Sequence, residues 1–269
     1  MRYIGAFILA VILLSGCSKS SETNYAATGK VQLLFSHQAG QQPLLPDTLL
    51  YLTATRHQYK VADLQYFVSD FTLYHNGGKP VRILSGQGIH YVDMRVAGTL
   101  AWSPADGIAA ATYDSVSFTF GINTANNISN RFPNPPERDM AWPGILGGGY
   151  HYMKMNLEYT GPLDPGIKPF MFHLGIGQLY STATPNPDSI TGYVQNYFRV
   201  TVPARFAVVA GKVCSIGCVM QVDRWFDGPE TFDFDDYPGG IMQNQDGMHK
   251  ACLNGQHAFV ITVGKQGNP

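Results

Sequence analysis

The chain has 269 residues and a formal net charge of −1 at pH 7, and only 14% of its residues are charged. It contains no basic run, so no nucleic-acid partner is expected, because such partners require a positively charged surface. It has 29 glycines and 17 prolines, and no apolar period of 3.6 residues persists over three turns. These features predict an all-β fold, an antiparallel β-sandwich with long proline-rich loops.

The N-terminal segment has the features of a lipoprotein signal peptide. Arg2 supplies a positive charge, and residues 4–14 form an apolar run too short to remain as a membrane span. Residues 14–17, LSGC, resemble the lipobox of bacterial lipoproteins. This resemblance implies cleavage before Cys17 and acylation of its thiol. The alternative is an ordinary secretory peptide with an incidental cysteine.

The segment after Cys17 is predicted to be a tether. Residues 18–28 are small and polar, which is typical of a flexible linker, and residues 29–269 are long enough for one all-β domain. By resemblance to known sorting patterns, Ser18 directly after Cys17 favours the outer membrane. We therefore expect a protein of the cell envelope that is held at the membrane by its lipid.

Alternating apolar and polar residues indicate the strands of this domain. Asn76-Gly77 lies between two of them and is a strong hairpin signal. Residues 123–143 are predicted to be a long irregular segment with four prolines, and loops of that length are often functional. Apart from two strands considered next, strands are predicted for residues 30–36, 59–62, 65–74, 80–84, 89–94, 113–121, 193–202, 205–209 and 258–263.

Two further segments each place a histidine close to a methionine. The alternation that starts at His151 and Met153 predicts a strand with both side chains on one face. Residues 169–175 form a second candidate strand, in which Met171 and His173 share a face. Imidazole and thioether groups on neighbouring strands suit a soft metal ion such as copper. The alternative is a pair of hydrogen-bonded core histidines, with methionines that fill gaps in the packing.

These two segments also carry a resemblance to a known family. GYHYMKMNLEY, followed after a short loop by FHLG, resembles the central signature of the MbnP-like family of copper-associated periplasmic proteins, which is named after the methanobactin operon. Residues 63–73, DLQYFVSDFTL, are similar to an earlier motif of that family. Met140-Ala141-Trp142 stands where the family has a Met-aromatic-Trp cluster. The resemblance extends from about Gly29 to the C-terminus.

The resemblance implies that the protein binds copper. Members of this family bind the ion with histidines and, in some cases, with a kynurenine made by oxidising a tryptophan. A dihaem cytochrome c peroxidase-like partner performs that oxidation. The matching residues here are His173 and His151 as ligands and Trp142 as the candidate for conversion to kynurenine. The alternative for Trp142 is a buried or interface tryptophan.

Further ligands are expected to complete the copper sphere. His249 lies beside Met248 in a stretch rich in glycine and asparagine that is predicted to be a loop, and His37 continues the apolar face of the first predicted strand. The candidates for these additional positions are His249, His37, Met153 and Met171. The histidines expected at the surface, because of their polar or turn contexts, are His57, His75 and His257.

Residues 223–237, DRWFDGPETFDFDDY, are the only acidic concentration in the sequence. Aspartate oxygens can bind calcium, but the spacing here is not that of an EF-hand loop. A solvated, turn-rich loop is therefore predicted, and no calcium is expected.

The cysteines predict a disulfide, because the periplasm is oxidising. Cys214 and Cys218 are separated by three residues that a turn could bring within bridging distance, and Cys252 could instead pair with one of them. A Cys-x₃-Cys metal site would lack a second pair of ligands, which disfavours zinc.

Together these observations predict a copper-binding lipoprotein involved in copper acquisition or handling. The sequence contains no nucleophile elbow, HExxH helix or phosphate-binding loop, so no enzymatic activity is expected. Two alternatives remain. One is a metal-free, lipid-anchored sandwich that serves as a binding or scaffold module, and the other is a redox partner of a dihaem peroxidase.

Overall fold

The structure, a computed structural model, describes residues 27–264. The predicted signal peptide with Cys17 and most of the predicted tether, residues 1–26, lie outside the described residues. Most of the regular secondary structure in the described part of the chain is β-strand. They are β1 (Thr28–Ala39), β2 (Gln42–Pro43), β3 (Tyr51–Leu52), β4 (Gln58–Tyr74), β5 (Val81–Arg82), β6 (Ile89–Asp93), β7 (Ala101–Trp102), β8 (Ile108–Ala109), β9 (Ala111–Phe120), β10 (Met153–Thr160), β11 (Lys168–Leu174), β12 (Ile176–Tyr180), β13 (Ile190–Gln195), β14 (Phe198–Val208), β15 (Val213–Gln221) and β16 (Phe259–Val263).

Helical structure is sparse in the described residues. There is one α-helix, α1 (Gln245–Gly255), and none of the helices within residues 27–264 is long and apolar enough to cross a membrane. The short 3₁₀ helices are Ser85–Gly88, Ala97–Leu100, Glu137–Met140, Gly144–Leu146, Pro187–Ser189, Val222–Trp225 and Phe234–Asp236.

The strands form two large sheets and one small one. The larger sheet has the order β11-β10-β4-β9-β14, with β3, β5 and β6 also paired to β4. The second sheet has the order β16-β15-β1-β2, with β7 and β8 paired to β1, and β12 and β13 form a separate hairpin. The pairs are antiparallel except for β1 and β15, which are parallel. The predicted all-β sandwich is confirmed, with this one parallel pair as the difference.

The core lies between the two large sheets and is dominated by aromatic rings. Phe118 and Phe120 of β9 contact Phe259 of β16, with ring centroids 5.1 and 5.6 Å apart. Trp225, which is fully buried, lies 5.1 Å from Phe120. Each buried aromatic side chain removes a large apolar area from water, so these contacts between the sheets contribute much of the stability of the fold.

The opposite face of the larger sheet, which we call the outer face, carries the polar side chains of β10 and β11. Lys154 of β10 is directly opposite His173 of β11, and opposite residues of an antiparallel pair share a face. Part of this face is covered by residues 121–152, the segment between β9 and β10, which we call the excursion. Its Phe132 stacks on Phe67 of β4 at 5.3 Å. The prediction of a long irregular segment here is confirmed.

Several predicted boundaries change in the structure. The strands predicted for residues 59–62 and 65–74 are one strand, β4, and the hairpin predicted at Asn76-Gly77 joins it to β5. Strand β14 continues through Pro203, where its pairing with β9 shifts register. This proline interrupts the ladder without ending the strand, because β14 is at the sheet edge and one missing backbone N–H is tolerated there.

Candidate metal centre

A small hairpin within the excursion brings Trp142 back to His151. The backbone N–H of His151 donates to the carbonyl of Met140 at 2.7 Å, and that of Trp142 donates to the carbonyl of Gly149 at 2.9 Å. The chain reverses through residues 147–149, three glycines with φ of +113°, +68° and +78°. Glycine alone adopts such angles readily, so this run of three glycines allows the tight return.

His151 and His173 then meet on the outer face. The ring centroids are 5.3 Å apart and the ring planes are nearly perpendicular, at 85°. Each side chain is 7% exposed. His173 is on strand β11 as predicted. His151 comes two residues before β10 begins at Met153, so the strand alternation does not apply to it and it lies beside His173.

Hydrogen bonds fix the orientation of both rings. His173 Nε2–H donates to Asn156 Oδ1 at 2.9 Å, and His151 Nδ1–H donates to the Met140 carbonyl at 3.0 Å. These bonds leave His173 Nδ1 and His151 Nε2 as the nitrogens that carry lone pairs. His173 Nδ1 is buried and has no hydrogen-bond partner. A buried acceptor without a partner is costly, and a bound cation would remove that cost.

Both imidazoles are held in the neutral form that binds metals. Burial lowers the pKa of His151 to about 4, and the nearby charge of Lys154 acts in the same direction. Burial also lowers the pKa of His173 to about 3, with further contributions from His151 and Lys154. The ligand atoms therefore stay unprotonated across the physiological pH range.

The pair has the dimensions of a shared metal site. Two imidazoles that bind one ion at 2.0–2.1 Å have ring centroids roughly 5–6 Å apart, and the observed separation is 5.3 Å. Both rings have their second nitrogen hydrogen-bonded by an acceptor, as is usual for metal ligands. The ring separation therefore fits a metal ion shared by the two imidazoles, with the unpartnered His173 Nδ1 as one ligand atom.

Trp142 completes this group of rings. It is 3% exposed, and its indole lies 4.6 Å from the His151 ring in an edge-to-face contact. Its Nε1–H donates to the Leu146 carbonyl at 3.2 Å. Gly175, directly after β11, leaves the space for the indole, since a Cβ there would lie 2.5 Å from Trp142 Cε3.

Of the two predicted methionine ligands, one faces away from this pair. Met153 is opposite Leu174 and fully buried on the core face, whereas His173 is on the outer face, so the prediction of Met153 as a ligand is wrong. Met171 does share the outer face with His173. It lines a separate cavity of about 160 Å³ with Pro238, Gly239, Gly240 and Met242.

The two additional predicted histidines also lie elsewhere. His37 is on β1, in the second sheet, and its Nε2 is 3.2 Å from the hydroxyl of Tyr66. His249 is exposed on helix α1 rather than in a loop. Within residues 27–264, no third histidine, cysteine or carboxylate is grouped with His151 and His173. The predictions of His37 and His249 as ligands in this sphere are therefore wrong.

The predicted disulfide between Cys214 and Cys218 is absent, and these cysteines and Cys252 are free thiols. Cys214 and Cys218 are both in β15, not on either side of a turn. Residues four apart in a strand are about 13 Å apart, whereas a disulfide needs Cα atoms within about 7 Å. Burial raises the pKa of Cys218 and of Cys252 to about 12, so both thiols are protonated and unreactive.

A second cluster was not indicated by the sequence. His57, predicted at the surface, is only 1% exposed, and its Nε2 lies 3.1 Å from Asp235 Oδ2 and 3.7 Å from Asp233 Oδ1. Its Nδ1 is 2.9 Å from Thr55 Oγ1. Both ring nitrogens thus have partners, in contrast to His173, and the cluster fixes the acidic loop to the larger sheet. The separation of these residues in the chain hides the cluster from sequence analysis.

A comparison with family models agrees with the sequence resemblance. The family model described as MbnP matches residues 28–243, which is more than three quarters of the chain. Among solved structures, MbnP from Methylosinus trichosporium is similar, with 19% sequence identity and a TM-score of 0.49. That match covers 76% of this chain and 79% of the other. No curated protein matches the chain.

Proposed function

The chain belongs to the MbnP family, and from this membership and the paired imidazoles we propose that it binds copper through His151 and His173. The observation that carries the proposal is His173 Nδ1, a buried lone pair with no hydrogen-bond partner that lies beside a second neutral imidazole. In this proposal the protein acquires or handles copper in the cell envelope as a binding protein, without catalysis.

The number and type of ligands favour copper over other ions. Calcium and magnesium prefer oxygen ligands, and the two facing groups here are nitrogens. Zinc sites usually have three or four protein ligands, while the described residues group only two such side chains here. Copper has a higher affinity than the other divalent first-row ions for a given nitrogen site. The ion itself would supply a soft, redox-active centre.

The surrounding residues perform three tasks in this proposal. Asn156 and the Met140 carbonyl hold the ring orientations, so little conformational entropy is lost when the ion binds. The low exposure of both histidines limits access of water to the ion. The positive charge of Lys154 lowers the pKa of both imidazoles. The same charge repels a bound cation and therefore favours Cu⁺ over Cu²⁺ in this site.

Trp142 is placed where oxidation would affect the site. Its indole contacts His151, so conversion to kynurenine, with a dihaem peroxidase-like protein as the oxidising partner, would put new polar groups beside the ion. We include this modification in the proposal. Mass spectrometry of the peptide that contains Trp142, isolated from the native envelope, tests it, and an unmodified peptide in copper-loaded protein would contradict it.

The decisive experiment is copper analysis of purified protein and its histidine variants. His173→Ala and His151→Ala should lose copper and remain folded, while His249→Ala, a control on the exposed face of α1, should bind copper as the wild type does. If the pair is only a packed core element, the variants will lose stability without a change in metal content. Less than about a tenth of an equivalent of copper in copper-loaded wild type would contradict the proposal and favour a metal-free scaffold module.

A further inference from the structure

A polar cleft on the outer face is not used by the proposed copper site. It has a volume of about 290 Å³ and lies over β4 and β9, at residues of β4 beyond the segment that pairs with β10. The side chains that line it are Asp70, Thr72, Arg82, Thr119, Asn123 and Arg199. Asp70 and Thr72 belong to the segment DLQYFVSDFTL, which the copper site leaves without a role.

The backbone at Asp70 is strained. Its φ is +55°, a left-handed conformation that is rare for residues other than glycine, and it occurs in the middle of β4. The pairing of β4 with β9 shifts register here, between Ser69 and Thr72, which is the mark of a β-bulge. Strained residues and bulges cluster at functional sites because they redirect a side chain.

The bulge aims the Asp70 carboxylate at three donors. Thr119 Oγ1–H donates to its Oδ2 at 3.1 Å, the amide of Asn123 donates to the same atom at 2.8 Å, and Arg82 pairs with its Oδ1. Asp70 is therefore fully engaged. Since Asn123 is near the start of the excursion, these bonds also fix the position at which the excursion leaves the sheet.

The bonds of Asp70 that hold the excursion do not involve Arg199, so they do not explain why this arginine lines the cleft. Arg199, on β14, is directly opposite Thr119 of β9, and Arg82, on β5, is directly opposite Thr72 of β4. The two arginines thus flank β4 and β9 from both sides, three strand spacings or about 14 Å apart across the sheet, and offset by two residues along β9. Their long side chains extend over the threonines between them.

The charges of the cleft are not balanced. Its lining carries two guanidinium groups and one carboxylate, and that carboxylate is paired with Arg82. Arg199 donates to the hydroxyls of Tyr74 and Ser117, and no carboxylate within the described ranges forms an ion pair with it. Each guanidinium group has five N–H donors, so both arginines keep N–H groups beyond these bonds, and two guanidinium groups can bind an oxyanion with directed hydrogen bonds.

We propose that this cleft binds the oxyanion group of a small carboxylate or phosphate compound, with Arg199 and Arg82 as its main contacts. The hydroxyl groups of Thr72 and Thr119 already donate to Asp70, so the donors for the oxyanion are the N–H groups of the two arginines. Asp70 acts as a positioning residue, because it holds Arg82 and Asn123 in place. This site is separate from the histidine pair and does not depend on copper.

The test is calorimetric titration of the purified full-length protein with inorganic phosphate and, separately, with succinate. At least one probe should bind saturably, and the one that binds identifies the oxyanion class. Arg199→Gln and Arg82→Gln should each weaken binding about tenfold or more, the effect of losing a charged hydrogen-bond donor. Arg205→Gln, an exposed arginine on the same strand that does not line the cleft, is the matched control and should bind as the wild type does.

Two further measurements keep the result clear. Thermal unfolding of each variant shows whether it is folded, and Arg199→Lys, which keeps the charge but loses the planar fork, replaces Arg199→Gln if the latter unfolds. Copper content of Arg199→Gln should equal that of the wild type, so failure of this proposal is distinguishable from failure of the copper proposal. Absence of saturable binding by both probes, or equal weakening in Arg205→Gln, would overturn the proposal.

Discussion

The pH dependence of copper affinity gives the sharpest prediction from the histidine pair. Protons compete with copper for imidazole lone pairs. Two exposed imidazoles with pKa values of about 6.5 would both be protonated at pH 5, and their joint affinity for copper would fall roughly 1000-fold between pH 7.5 and pH 5. With the pKa of His151 at about 4 and that of His173 at about 3, the expected fall is less than about twofold.

The measurement is a competition titration of purified protein against a copper chelator at several pH values, after correction for the chelator's own protonation. A short peptide with two exposed histidines serves as the comparison. A nearly flat profile from pH 7.5 to pH 5 is expected for the protein and a steep one for the peptide. If the protein follows the peptide, the ligand nitrogens are not buried and neutral, and the reasoning from the structure fails.

The same lowered pKa values set the sign of the pH effect on the apo protein. In the unfolded chain both histidines take up protons near pH 6.5, whereas in the folded chain they do so only near pH 4 and pH 3. The unfolded state therefore binds more protons between these limits, and the free energy of unfolding falls as the pH drops below about 6.5. Urea unfolding of the wild type and of a variant that lacks both histidines measures how much the two histidines contribute to the pH dependence of the free energy of unfolding. The variant should show the weaker pH dependence.

Three further changes test the parts around the pair. Gly175→Ala should destabilise the fold by about 1–3 kcal/mol in urea unfolding, because its Cβ overlaps Trp142, while Gly98→Ala, where the added Cβ meets nothing within 4 Å, should not. Asn156→Leu should weaken copper affinity by roughly 10–100-fold, as loss of the group that orients a ligand does, and an unchanged affinity would remove Asn156 from the site. If the expected lipid on Cys17 is the anchor, Cys17→Ser should release the protein from membranes, and unchanged partition into the detergent phase would argue against the lipid anchor.

The sequence pattern predicts the fold well wherever one face of a strand is buried. The alternation in residues 113–121 and 153–159 follows the observed strands closely, because inward residues there are apolar. Helix α1 was not predicted, since its buried side includes Gly247 and Asn254 and lacks a continuous apolar stripe. Strand β15 was hidden by the interpretation of its cysteines as flanking a turn.

The candidate site was predicted in part. His173 is where its alternation places it, but the position of His151 depends on a glycine turn and on backbone hydrogen bonds to Met140. Neither effect has a periodic signature. The additional ligands were proposed from residue type and local sequence pattern, and neither says which sheet a side chain belongs to. His37 and Met153 illustrate this, since each is on an element or face away from the pair.

The way the pair is built indicates that folding does not depend on the proposed binding of copper. His173 is on β11, which is hydrogen-bonded to β10, and His151 is held by the hairpin that begins at Met140. Neither element needs the ion to form, because the core between the sheets is closed by aromatic contacts that do not involve the histidines. A domain of this size buries roughly 70% of its unfolded surface, unlike small zinc domains that fold only with their metal. Copper should therefore enter a preformed site, and the two histidine variants should lose the ion while they keep the fold.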